Sequence, residues 1–167
     1  MSWAQERSAR IKAAGEQAEV ARQDAKGASK VISTNADAMW EMVESELERI
    51  VLEFRGGLPA AQTTDLRAER VNTNNLTIST RVYPVLRLEI IYHPGIGIDG
   101  EIRKIYSGLE SPQVAKLNMI RFALDPQLRP WFTDGEHYLH PAQVAEELME
   151  EVAKFFEVAA ARPRLVT

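Results

Sequence analysis

Residues 76–93 read LTISTRVYPVLRLEIIYH, and their period decides the fold class. Leu76, Ile78, Thr80 and Val82 alternate with Thr77, Ser79 and Arg81. After Tyr83-Pro84 the alternation resumes, with Leu86, Leu88, Ile90 and Tyr92 on one side and Arg87, Glu89 and His93 on the other. Successive side chains of a strand point to opposite faces, so a period of two with one apolar set predicts antiparallel strands packed on a single side. Downstream, EIRKIYSG (101–108) and KLNMIRFAL (116–124) read as further strands. Upstream, LRAERV (66–71) fits either a weak strand or a helical turn. Thr133-Asp134-Gly135 predicts a tight hairpin that would set Trp131 opposite Tyr138 and Phe132 opposite His137.

On either side of these strands the period changes to that of a helix. Met39, Trp40, Val43, Leu47, Ile50, Val51 and Phe54 recur every three or four residues, while Glu41, Glu44, Glu46, Glu48 and Arg49 take most of the other face. Ser33-Thr34-Asn35 offers capping oxygens and Asp37 suits a helix N-terminus, so this helix is expected to begin there and to end at Gly56-Gly57. His140-Pro141 opens a second helix, with a stripe of Val144, Leu148, Val152, Phe155 and Ala159 flanked by Ala145, Met149 and Phe156, and Pro163 as its stop. Phe54, Leu148 and Phe155 lie centrally in these stripes and are expected to be buried. The order predicts an α+β fold: an antiparallel sheet of four to six strands, covered on one face by two long helices.

Residues 1–36 differ from the rest, being rich in Ala, Gln, Glu, Arg and Lys. Ile11, Ala14, Ala18, Ala21, Ala25, Ala28 and Ile32 alternate spacings of three and four, and Met39 and Met42 continue that register. A seven-residue apolar repeat makes a seam for a partner helix, and small side chains allow close approach. An alanine seam buries little area and Gly15 and Gly27 weaken it, so a solvated or frayed helix fits the same residues. The expected organisation is a helical or partly disordered arm at 1–36, an α+β domain at 37–163 and a tail at 164–167.

The stretch YHPGIGIDGEI (92–102) contains G-x-G-x-x-G at Gly95, Gly97 and Gly100. A dinucleotide loop needs such glycines to lead into a helix, whose free N–H groups hold the pyrophosphate. Here they lead into EIRKIYSG, too short for a convincing helix. The motif therefore reads as structural, with Asp99-Gly100 as the turn and Gly95 and Gly97 at a bulge or strand end. A two-residue turn there would pair Ile98 with Glu101; a glycine bulge would realign Ile102 and Tyr106 with the apolar side.

The remaining chemistry is sparse. The chain has 167 residues, a net charge of −4 and no cysteine, which excludes disulfides and thiolate chemistry. The charge is spread as −2 over 1–57, +2 over 58–131 and −4 over 132–167, unlike the basic footprint of a general nucleic-acid binder. No run is long and apolar enough for a membrane span, and the first twenty residues carry no secretory apolar region. These features suit a cytoplasmic protein. His93, His137 and His140 read as ordinary surface or edge histidines, since on a strand His137 and His140 fall on opposite faces; no metal and no cofactor is expected. Glu146-Glu147 and Glu150-Glu151 read as a solvated helix face, with nothing to suggest a carboxyl raised by burial. No catalytic residue stands out.

The best candidate site is a surface. By parity Arg81, Arg87 and Arg121 project from the non-core side of their strands beside His93, where guanidiniums could dock a carboxylate or phosphate. Three functions are open at this point. The first is a non-enzymatic interaction or assembly protein that associates through its N-terminal arm, most simply as a homodimer. The second is a binding or adaptor module for an anionic partner on the arginine face. The third is a small enzyme with an unrecognised site.

Overall fold

The computed structural model describes residues 2–58 and 65–162. Among the described residues, one helix, α1 (Trp3–Gly57), is followed by eight strands and then a closing helix. The strands are β1 (Arg67–Asn72), β2 (Asn75–Ser79), β3 (Val85–His93), β4 (Gly97–Ile105), β5 (Gln113–Lys116), β6 (Ile120–Leu124), β7 (Pro130–Thr133) and β8 (Tyr138–Leu139). The closing helix, α2, spans Pro141–Ala161. Every pairing is antiparallel, in the order β1-β2-β3-β4-β6-β7-β8, with β5 beside the C-terminal half of β4. The α+β class is as expected. The strand count rises to eight because LRAERV forms an edge strand and because β5, β7 and β8 are too short to show a period.

The alternation read in 86–92 is the core face of β3: Leu86, Leu88, Ile90 and Tyr92 are buried. Leu76 and Ile78 of β2 join them. Val82 does not. β2 ends at Ser79, and the Thr80 hydroxyl accepts from Leu86 N–H and donates to Pro84 C=O, closing a loop that leaves Val82 exposed.

The G-x-G-x-x-G stretch runs straight into β4, so its glycines lead into a strand. The turn, however, is Pro94-Gly95 and not Asp99-Gly100. Ile96 N–H bonds to His93 C=O, Gly95 takes φ +72° and His93 pairs with Gly97. From there the register is unbroken, with Ile98 opposite Tyr92, Gly100 opposite Ile90 and Ile102 opposite Leu88. Ile98 and Ile102 thus share the core face without a bulge. The 133–135 turn is also longer than a two-residue loop. The Asp134 carboxylate accepts from the amides of Glu136 and His137, so Thr133 pairs with Tyr138 and Phe132 with Leu139.

Both helices lie on the core face. α2 begins as expected: Pro141 occupies its first turn and His140 N–H bonds to the Gln143 side chain. Val144, Ala145, Leu148, Met149, Val152, Phe155 and Phe156 are buried. Pro163, its expected stop, lies outside the described residues.

α1 buries Ala36, Trp40, Val43, Leu47 and Val51, while Phe54 is only partly covered, its ring 5.7 Å from Phe156. Three contacts fix α1 to the sheet. Trp40 stacks on Tyr92 at 5.4 Å, its indole donates to Thr73 C=O, and Tyr92 OH donates to Asp37.

α1 does not start at Ser33-Thr34-Asn35. Ser33 and Thr34 donate to Lys30 C=O and Asn35 to Val31 C=O, so these side chains bond back into a helix already running. The N-cap is Ser2, in a capping box with Gln5. At 1.5 Å per residue α1 is about 80 Å long, and the expected boundary at 36/37 falls inside it.

Candidate interaction surfaces

The first surface is the projecting half of α1. Every residue from Ser2 to Gly27 is exposed, a length of about 40 Å. Ile11, Ala14, Ala18, Ala21 and Ala25 lie on this bare stretch, while Ala28 and Ile32 are partly covered where the domain begins. Beyond Ile32 the apolar line passes through Ala36, Trp40, Val43 and Leu47, again at spacings of three and four. It does not pass through Met42, which is exposed, while Met39 lies at its margin, partly buried. The seam thus joins the core stripe on one side of the helix, with the alternation of three and four interrupted by three steps of four from Ala28 to Trp40. The C-terminal half is packed on the sheet and the N-terminal half is bare.

The second surface is the sheet face turned away from the helices. Arg87 and His93 lie on it in β3, and Arg121 in β6 pairs with Gly97 and Thr133. Arg81 falls beyond β2, in the loop, where its N–H bonds to the Asp65 carboxylate and its guanidinium lies 3.8 Å from Glu69. The face is not purely basic. Arg87 Nη2 sits 2.6 Å from Glu89 Oε1. His93 Nε2 lies 3.1 Å from Asp99 Oδ2, without the alignment of a hydrogen bond.

Sequence reasoning missed two further members of this face. Arg103 stands directly opposite Arg87, and Glu101 directly opposite Glu89. The signal was only partly present: Pro94-Gly95 marks a turn, but both pairs follow by counting only from a three-residue loop, 94–96, that sets His93 opposite Gly97. Arg87, Glu89, Glu101 and Arg103 line a shallow depression of about 220 Å³.

The histidines are dispersed: His93 beside Asp99, His137 beside Asp134 at 3.3 Å, and His140 against the Trp131 ring at 4.4 Å. Among the described residues no group of three or more His, Asp or Glu side chains is arranged to hold a metal ion.

The glutamates of α2 are not all alike. Glu147 is held above the usual glutamate range, first by desolvation and then by Asp134. Burial would raise Glu151 as well, but hydrogen bonds from Lys154 and Lys104 carry it below that range. Glu146, Glu147 and Glu150 are exposed, as a solvated face requires, and Glu151 is partly covered; the correction is to the expectation that burial raises no carboxyl here.

Glu44 is a second correction. Read as part of α1's polar face, it is 6% exposed; Arg70 Nη2 lies 3.4 Å from one oxygen and the other has no partner. Desolvation raises its pKa, Arg70 lowers it, and Glu48 and Glu41 raise it again, for a net increase. A carboxyl whose folded pKa exceeds its unfolded one contributes stability that is complete below the unfolded value and is lost as pH rises through the folded value. The Glu44→Gln variant should therefore gain stability relative to the parent between about pH 4 and pH 7, a range spanning ordinary glutamate titration. Thermal melts of both proteins across that range check it; a difference independent of pH would show that Glu44 titrates normally.

No described helix is long and apolar enough to cross a membrane. Comparison of the chain with protein-family models, curated proteins and solved structures finds no match.

Proposed function

We propose that this chain is a non-enzymatic assembly protein that associates through the projecting half of α1, with a second copy as its partner. One observation carries the reading: the stripe that packs on the sheet from Ala36 to Val51 is continued toward the N-terminus, at steps of three or four residues, by Ile11–Ile32, and from Ile11 to Ala25 nothing in the described chain covers it. A free helix in water needs no apolar line, and this one buries too little alone to be held firmly. A helix laid along the alanines would extend the packed layer past the sheet, and the small side chains would let the two backbones approach closely. Ile11 supplies a larger side chain at the far end of such a pair, while Ile32 packs against the domain core at the near end.

Ala21→Asp tests this reading. It places a charge at the centre of the line, about 20 Å along the helix from the first buried residue, Ala36, and so leaves the domain core untouched. The parent should sediment as a dimer at micromolar concentration and the variant as a monomer, with equal melting transitions for the domain. A parent that is monomeric throughout that range, or a dimer unmoved by Ala21→Asp, removes the arm as the self-association site.

A further inference from the structure

We infer that the open face of the sheet is a second self-association surface, on which two copies stack face to face about a twofold axis. The argument rests on strand register. Across β1 to β5 one row reads Arg67, Ser79, Arg87, Arg103, Val114, and the next reads Glu69, Thr77, Glu89, Glu101, Lys116. From β1 to β4 the arginines thus fall in one row and the glutamates in the next, bridged along the strands by Arg67–Glu69 and Arg87–Glu89, with Lys116 of β5 the exception in the acidic row. Like charges directly opposite one another are unfavourable in a sheet. Exchanging Arg87 with Glu89 would set opposite signs across both central pairs at no change in composition. A face shaped only for solubility has no use for the segregated arrangement, whereas a facing surface of matching pattern does.

That surface is the face itself. A twofold axis running across the strands, between the two rows, turns a second copy over and reverses the row order. Arg67, Arg87 and Arg103 of each copy then lie over Glu69, Glu89 and Glu101 of the other. The same operation brings Val85 over Ile91 of the other copy, matching half-buried apolar side chains, and sets Ile105 over its Asp99.

The size suits a weak contact. β3 and β4 span about 30 Å but β1, β2 and β5 only about 13–20 Å, so at about 4.8 Å per strand each copy offers roughly 500 Å². A standard interface takes about 800 Å² from each partner. A purely anionic partner would meet the arginine row but be repelled by the acidic one. Long charged side chains keep such a contact wet and salt-sensitive. The arm pairs chains at micromolar concentration, and this weaker contact joins it only at tens of micromolar, where two distinct twofold contacts per chain build an extended assembly in place of a closed dimer.

Charge exchange in the full chain tests this, in a background carrying Ala21→Asp so that the arm contributes nothing. Arg87→Glu with Arg103→Glu gives an acidic face, and Glu89→Arg with Glu101→Arg a basic one. Each alone should self-associate about tenfold more weakly than the background at low salt. An equimolar mixture should associate at least about tenfold more tightly than either variant alone, and added salt should weaken it. All four changes together restore a segregated pattern and should restore self-association, which also shows that the substituted chains fold. The inference is overturned if the mixture is no tighter than its components, if the fourfold variant stays monomeric, or if the background chain shows no association at tens of micromolar.

Discussion

Gly97→Ala should be among the most damaging single changes in this protein, costing about 3 kcal/mol or more. A Cβ built at Gly97 would lie 2.2 Å from Ile120 O, 3.0 Å from Arg121 Cα and 3.1 Å from Ile120 C. All three are backbone atoms of β6, so no side chain can rotate away. β6 would have to retreat, breaking the Gly97–Arg121 and Ile98–Ile120 pairing through which it adjoins β4. Gly97 does not take a positive φ, so alanine would otherwise be tolerated and would even gain up to about 1 kcal/mol from a stiffer unfolded chain. The sign is decided by the clash.

The other two glycines of the motif provide the scale. At Gly95 the φ is +72° but nothing lies within 4 Å, so alanine should cost about 1–2 kcal/mol for the left-handed backbone alone. At Gly100 a Cβ would meet Glu89 O at 2.8 Å and the movable Leu117 side chain at 3.3 Å, an intermediate case. Urea midpoints of the three variants should fall furthest for Gly97. If Gly97→Ala melts with the parent while Gly95→Ala does not, the close approach of β4 to β6 is wrong.

The motif also shows what the sequence could and could not reveal. That its glycines serve the sheet follows from what comes next in the chain. Which pair makes the turn does not, because Pro94-Gly95 and Asp99-Gly100 are both good turn formers and both flank apolar alternation. Only the pairing with β3 chooses, since it keeps Ile98 and Ile102 beside Tyr92 and Leu88. That choice also hid Arg103 and Glu101, so the segregated charge pattern was invisible before the register was known.

The capping signal at Ser33-Thr34-Asn35 misled for a related reason. These side chains can hold a free helical N–H or bond back to the preceding turn, and the local sequence is the same in both cases. Glu44 was misplaced because helical spacing put it at the margin of the stripe, where β1 and its Arg70 close over it. The helical stripes themselves, with seven or more apolar residues each, were legible because many positions must agree at once. Strands of two to four residues, such as β5, β7 and β8, offer no such redundancy.

Phe155→Ala should cost about 3–5 kcal/mol, the range for deleting a fully enclosed aromatic side chain. Phe155 is 0% exposed. Its ring stacks on Tyr106 at 5.1 Å and meets the edge of Phe156 at 5.1 Å, tying α2 to the segment that follows β4. Tyr106 is held in turn by the Arg162 guanidinium 4.0 Å above its ring, and Arg162 by two bonds to Glu110. The void left by alanine cannot close easily, because backbone elements meet on both sides of it.

Phe54 is the informative comparison. It occupies an equally central place in its own stripe, yet it sits in the last turn of α1 and remains partly open to solvent. Its truncation should cost less than that of Phe155, although both lie near the helix ends. Val158→Ala, on the exposed side of α2, should change stability by less than about 0.5 kcal/mol. Denaturant midpoints for the three variants rank these environments directly. Equal losses at Phe155 and Val158 would mean that the rotation of α2 about its axis is wrong. Equal losses at Phe155 and Phe54 would mean that the end of α1 is packed more deeply than its exposure implies.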